Sequence, residues 1–371
     1  MGELDKVIEQ VNKEHKFDII NKGLRKYESK KIPLSSIRLN YMTYGGIPRG
    51  HIIELAGAEN SGKTTLALDI IKNAQLLFQN EWEQEIEKLK SDNSVKAQNR
   101  LKLLEQIGPK KCIYADCENT LDELWVRKLG VDLDNLVTIT PQQETAEQLF
   151  DIFIDMLSTG EVGLLIIDSL GVMISQQAFD KSIGEKTYAG ISQPLTTFSK
   201  KASLLCCKFG ITLIGINQLR DDLSTTYNTY TTTGGRGWKH ACSVRLMISK
   251  SDFIDDNNNK IPKSTAENPA GNLVDVAIIK TKAFKPDRRK GLFTIRYDLG
   301  IDNASDLVDV ALKCDLLVRR GAWYSFFNDD NTLMEFNGVP LTFNGKAELL
   351  SFLRKEQEFT NQLVDILNSH I

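Results

Sequence analysis

The chain has 371 residues, 41% of them hydrophobic and 26% charged, which is enough apolar material for one large domain with smaller additions. With 46 basic against 49 acidic residues its net charge is -3, so contact with nucleic acid has to come from a local basic surface and not from bulk attraction. The charged N-terminus lacks the apolar stretch of a secretion signal, no run of about 18 apolar residues follows it, and the six cysteines show no CxxC spacing, so a cytoplasmic protein with reduced thiols and no membrane association is expected.

In chain order, residues 3–15 carry Leu4, Val7, Ile8 and Val11 at spacings of three to four among alternating charges. That predicts a short amphipathic helix, which needs a partner surface, within an N-terminal oligomerisation segment over residues 1–34. From 35 to 300 short apolar runs alternate with helical segments: 51–56, 111–115, 136–140, 163–167, 210–216, 243–249 and 274–280. This pattern predicts an α/β core with a mostly parallel twisted sheet flanked by helices. A polar stretch at about 79–108, with its periodicity broken near 91–94, reads as a helical hairpin inserted into a crossover, and 252–272 reads as a loop or hairpin excursion. Residues 301–371, helix-rich with strand-like pieces around Trp323 and Leu333, read as a small α+β C-terminal domain.

Gly57-Ala58-Glu59-Asn60-Ser61-Gly62-Lys63-Thr64 fits the phosphate-binding pattern G-x-x-x-x-G-K-[ST] between an apolar strand and a helix beginning near Thr65. Glycines let the backbone curl around phosphates, the helix N-terminus aims N–H groups at them, Lys63 neutralises charge, and the Thr64 hydroxyl suits Mg2+. Three other apolar strands end in polar groups. Asp168 closes Leu164–Ile167 as a metal-side carboxylate, Glu118 follows Cys112–Ala115 as a candidate for activating water, and Asn217-Gln218 close Ile211–Ile216. Spacing alone favours a solvated loop carboxylate at Glu118 and leaves the role of Gln218 open.

The segments GAENSGKTT, DCENTLDELWVRKLGVDLDNL, LLIIDS, INQLR and TTTGGRGWKHACSVRL, in this order and at similar spacings, resemble bacterial RecA recombinases. The resemblance covers about residues 33–330, apart from the 79–108 insertion. It implies a DNA-dependent ATPase using ATP and Mg2+, with Glu118 as catalytic glutamate, Asp168 as second metal-side carboxylate and Gln218 as the link from γ-phosphate to DNA. Asp122 and Trp125 match adenine contacts, the latter replacing a tyrosine with another aromatic face. Lys280 and Lys282 match two lysines that reach the ATP of the neighbouring subunit, which makes the active site a subunit interface.

By the same resemblance, two DNA-contacting loops fall at roughly 177–190 and 219–238. Gly234 and Gly235 there permit close approach of the backbone to phosphates, Arg220, Arg236, Lys239 and the nearby Lys201 supply charge, and Leu223 and Tyr188 are candidates to wedge or stack between bases. Asp221, Asp222 and Pro194 depart from the family pattern and predict DNA binding that is weaker or more salt-sensitive. The function implied is filament formation on single-stranded DNA followed by pairing and strand exchange with duplex DNA, in repair and recombination. Candidate partners are single-strand-binding protein, mediators and a self-cleaving repressor of the SOS response. A ring-forming helicase or an ATP-switched recombination mediator are the rival readings, and a filament rather than a ring separates the first of them.

Overall fold

The structure, a computed structural model, describes residues 2–15, 30–182, 185, 190–221, 230–256, 258–262, 264, 266–328 and 330–369. The chain forms two compact units, Met1–Lys30 and Lys31–Ile371. In the first, α1 (Glu3–His15) is the expected amphipathic helix. Glu3 and Asp5 in its first turn complement the helix dipole, and Leu4 and Val7 are 71% and 53% exposed.

The second unit opens with β1 (Lys31–Ile32), α2 (Ile37–Thr43) and β2 (Ile47–Pro48), the strands pairing antiparallel across the helix. Ser36 caps α2 by accepting from the Leu39 N–H at 3.3 Å, and Tyr44 ends it in the left-handed region. Next come β3 (Ile52–Gly57), α3 (Lys63–Lys90), α4 (Val95–Ile107), β4 (Lys111–Asp116), α5 (Glu123–Lys128), β5 (Leu136–Ile139), α6 (Ala146–Ser158) and β6 (Val162–Asp168). They are followed by α7 (Gln176–Phe179), α8 (Ser192–Phe209), β7 (Thr212–Asp221), β8 (Tyr230–Thr232), α9 (Gly235–Ala241), β9 (Val244–Ile254), β10 (Lys260–Ile261), β11 (Gly271–Thr281), β12 (Lys290–Arg296) and β13 (Gly300–Ile301).

The main sheet runs β13-β12-β11-β9-β3-β7-β6-β4-β5. From β9 to β5 every pairing is parallel, whereas β11, β12 and β13 add an antiparallel flank. The excursion at 252–272 contains a hairpin in which β10 folds back on β9. Apolar side chains of β3, β4, β6 and β7 are buried on both faces, which explains why the sequence shows continuous apolar runs in place of alternation. One face packs on α3 through Leu66, Ile70 and Phe78; the other packs on α6, α8 and α9 through Phe150, Phe153, Phe198 and Trp238. Each such side chain contributes about 1.5–3 kcal/mol by leaving water.

The inserted hairpin turns where the periodicity breaks, but its first arm is no separate helix. α3 continues unbroken for 28 residues from the phosphate loop to Lys90, about 42 Å at 1.5 Å per residue. Nothing between Thr65 and Lys90 is a Gly or Pro, so no local signal stops the helix before Ser91. Ser94 then caps α4, Trp82 Nε1 donates to the Leu104 carbonyl at 2.9 Å, and Arg100 meets Glu85 at 3.1 Å, which clamps the two arms together.

After Asp302 come α10 (Asn303–Lys313), β14 (Leu317–Arg320), β15 (Trp323–Phe326), β16 (Glu335–Phe336), β17 (Val339–Pro340), β18 (Thr342–Asn344), α11 (Lys346–Lys355) and α12 (Gln357–Ser369). These elements gather Leu307, Phe326, Leu349 and Phe359 into a cluster of their own, which Ile37 and Tyr41 of α2 join. The seam with α2 is polar as well as apolar. The Ser36 hydroxyl donates to Asp306, Arg38 Nε lies 3.0 Å from the same carboxylate, and burial pushes that carboxyl up to about 7.

Candidate functional site: a nucleotide cleft at the strand ends

Parallel pairing brings the C-terminal ends of β3, β7, β6 and β4 to one edge of the sheet. In register, Gly57 lies beside Gln218 and Asp116 beside Asp168. This edge of an open α/β sheet is where ligands bind, because loops diverge there and helix N-termini point inward. A cleft of about 580 Å³ occupies it, lined by Glu59, Asn60, Ser61, Gly62, Lys63, Thr64 and Thr65 with Glu118, Thr120, Trp125, Asp168, Gln218, Lys250, Asn272, Ile295 and Tyr297.

The floor of the cleft depends on two glycines. A Cβ at Gly57 would lie 2.2 Å from the Ile248 carbonyl oxygen, so glycine lets the chain leave β3 while β3 stays paired with β9. Gly62, at φ +95°, starts α3, and a Cβ there would lie 2.9 Å from Ile295 Cδ1. The Ser61 hydroxyl is buried in the loop without a hydrogen-bond partner. Lys63 Nζ donates to the Ala58 carbonyl at 2.6 Å; burial lowers its pKa, while Asp168, Glu118 and Glu59 act against that shift. An orphaned hydroxyl, a buried ammonium and glycines at a helix start form a cradle suited to a phosphate chain.

Thr64 Oγ1 donates to Asp168 Oδ2 at 2.8 Å, and Tyr114, buried on β4, donates to the same oxygen at 2.6 Å. Burial raises the Asp168 carboxyl above its ordinary range, against these two hydrogen bonds. A hydroxyl and a carboxylate meeting beside a phosphate cradle are the hard oxygen donors that Mg2+ takes, so the residues fit that ion. Glu118 stands at the end of β4, where its Oε1 accepts from Ser169 Oγ at 2.5 Å and from Gln218 Nε2 at 3.1 Å.

Trp125 lines the cleft, with Lys128 Nζ 5.8 Å from its ring centroid and donating to the Tyr297 carbonyl at 3.1 Å. Asp122 does not line the cleft; its carboxylate caps α5 and accepts from the Leu124 N–H at 2.9 Å. Lys280 lies at the opposite end of the sheet, paired with Arg245, which pairs with Glu54 near the start of β3. Its ammonium donates to the Lys239 and His240 carbonyls at 2.7 and 3.1 Å, at the C-terminal end of α9, and Lys282 follows just beyond β11.

Of the expected DNA-facing residues, Gly234 and Gly235 take positive φ at the start of α9, Arg236 is exposed, and Lys239 Nζ donates to Thr231 Oγ1 at 2.8 Å. Arg220 donates to the Gly171 carbonyl at 3.0 Å, and exposed Lys201 lines a second cleft with Pro194 between α6 and α8. Tyr188, Leu223 and Asp222 lie outside the described residues, as does the side chain of Asp221. Sequence reasoning missed Tyr114, Thr120, Ser169, Lys250, Asn272, Ile295 and Tyr297. Ser169 directly follows the strand-end carboxylate Asp168; the others sit inside strands, turns or loops whose patterns speak only of burial.

A phosphate cradle leading into a helix, with a carboxylate two strands away at the same sheet edge, defines a P-loop nucleotide-binding protein. The model of the RecA N-terminal domain matches residues 2–80 and 85–302 of the chain. Protein RecA of Cutibacterium acnes is 27% identical over 368 residues, 98% of this chain and 90% of that protein. Protein RecA of a Wolbachia from Drosophila simulans is 31% identical over 331 residues, covering 88% and 78% of the two chains. The corresponding protein of Clostridioides difficile is 30% identical over 320 residues, covering 86% and 76%. The chain belongs to the RecA family, the ATP-dependent DNA recombinases of recombination and repair. Members of the family are DNA-dependent ATPases that bind DNA and form filaments. Among the described residues no helix is long and apolar enough to cross a membrane.

Proposed function

We propose that this chain binds ATP and Mg2+ in the cleft at Gly57–Thr64, hydrolyses ATP when DNA is bound, and assembles on single-stranded DNA as a helical homo-oligomer that exchanges strands with a homologous duplex. The observation that carries this reading is the meeting of Thr64 at the start of α3, Asp168 at the end of β6, Glu118 just past β4 and Gln218 of β7 over one phosphate cradle. Lys63 and the start of α3 hold the phosphates, and Thr64 with Asp168 hold the metal. The bound ion supplies neutralisation of charge on the phosphate oxygens. Glu118 orients the attacking water and takes its proton, and Gln218 senses the γ-phosphate. Trp125 offers its ring face to the adenine; Asp122 reaches the base only by giving up its cap on Leu124.

Lys280 and Lys282 serve the site of the next subunit, a role supported by their place at the end of the sheet opposite the cradle. Arg220, Arg236, Lys239 and Lys201 contact DNA phosphates, with Gly234 and Gly235 giving the backbone room, and Tyr188 and Leu223 insert among bases. Single-strand-binding protein, mediators and a self-cleaving repressor are the partners in this reading, with the cytoplasm as its location. The test is hydrolysis with and without single-stranded DNA, electron microscopy with ATP, and a strand-exchange assay. We expect DNA-stimulated hydrolysis, helical filaments and exchange, all lost in Lys63→Ala; rings in place of filaments, or normal exchange by that variant, would sink the reading.

A further inference from the structure

Ser169 has no part in the chemistry described above, yet it is fully buried at the end of β6 and makes the shortest contact to Glu118, 2.5 Å from Oγ to Oε1. Gln218 Nε2 reaches the same oxygen from 3.1 Å, so both donors hold Oε1, which leaves Oε2 for a water in the cleft. The backbone beside Glu118 is held separately: Asp116 accepts from the Thr120 and Leu121 N–H groups at 3.3 and 3.0 Å. A glutamate side chain has three rotatable bonds, and the fixed backbone does not settle them.

We propose that Ser169 is a positioning residue for the hydrolytic step, holding the Glu118 carboxylate so that one oxygen faces the attacking water. The proposal rests on Glu118 being the group that handles this water. The two donors differ in permanence. Gln218 is on the strand expected to respond to the γ-phosphate, and an amide that turns toward phosphate releases Oε1. Ser169 is anchored beside Asp168, whose own oxygen is tied to Thr64 and Tyr114, so its hydroxyl remains when Gln218 leaves. Loss of the hydroxyl therefore slows turnover without touching the groups that bind ATP, since a misplaced base lowers the rate and not the ground-state affinity.

The experiment compares the full chain, Ser169→Ala, Glu118→Gln and the double variant in DNA-stimulated hydrolysis, alongside equilibrium binding of a fluorescent non-hydrolysable ATP analogue and filament imaging with that analogue. Ser169→Ala is expected to lower kcat about 10- to 100-fold, with KM, analogue affinity and filaments within about twofold of the parent, and to add no further loss in the Glu118→Gln background. Should the alanine variant unfold, Ser169→Cys fills the same space with a poor donor and is expected to show the same kcat loss. Unchanged kcat in the folded serine variant, a loss carried by KM and analogue affinity, or equal losses in both backgrounds would overturn the assignment. Full hydrolysis by Glu118→Gln would also overturn it, and would bring down the reading of Glu118 itself; a dead Glu118→Gln with an unaffected Ser169→Ala would bring down the positioning role alone.

Discussion

Gly62 concentrates several demands in one residue. It turns the phosphate loop into α3 at φ +95°, a conformation that costs an L side chain about 1–2 kcal/mol, and it leaves room for Ile295. Gly62→Ala is therefore expected to lose about 2 kcal/mol of stability in urea unfolding and to weaken nucleotide binding, since either the loop or Ile295 must move. Parent-like stability together with parent-like ATP-analogue affinity would show that the loop relaxes without strain. At this scale the sequence was informative for the residues of the phosphate pattern, because their spacing is itself the chemistry. It was silent on Tyr114, which in sequence is one more apolar-run residue and acquires a role only through its 2.6 Å contact to Asp168. For Asp122 the resemblance implied an adenine contact and gave no sign that its carboxylate caps α5.

Among the elements, the hairpin of α3 and α4 lends itself to a local test. Its two arms bury Ile86, Ala97 and Leu101 and are joined by the Trp82 indole on Leu104 and the Arg100–Glu85 pair, the latter exposed and worth little. Trp82→Ala is expected to cost about 2 kcal/mol, less than a fully buried Trp truncation because this ring is only half-buried. The loss should be local: amide exchange over residues 83–106 speeds up while β4 stays protected, and DNA-stimulated hydrolysis remains within about twofold. Unaltered exchange there, or a collapse of hydrolysis, would mean that the hairpin is tied to the core more tightly than these contacts indicate. The turn of this hairpin was legible from Ser91–Ser94, but its first arm was not, since no breaker separates it from the phosphate-loop helix. Two-residue strands such as β1, β10 and β17 were illegible for a different reason: two residues carry no periodicity, and only pairing defines them.

For the whole molecule, the position of Lys280 carries a consequence for assembly. From the Glu54 level of β3, where Lys280 lies across β9, to Gly57 is about 10 Å along the strands, with two strand spacings of about 5 Å each across them. Its ammonium is turned to the end of α9 and away from its own cradle, and in the proposed assembly it serves the site of another copy. Lys280→Ala and Glu118→Gln are each expected to be inactive alone. Mixed in equal amounts on single-stranded DNA, they should recover up to about a quarter of parental hydrolysis, since that share of head-to-tail interfaces carries both intact groups. A mixture no more active than its components would count against action between subunits.

Several features followed from the sequence by itself: the phosphate cradle, the buried parallel strands, the amphipathic α1, and the strand-end groups Glu118, Asp168 and Gln218 as candidates. Each of these is a local signal, set by the spacing of a few residues or by continuous apolar character that demands burial on both faces. Only the tertiary structure decided that the four strand ends share one edge, that β11 to β13 run antiparallel, that Trp125 and Tyr297 line one cleft, and that Ser169 holds Glu118. Those outcomes depend on strand order and register, which are fixed by how the whole sheet buries its two faces, and no short stretch of sequence records that.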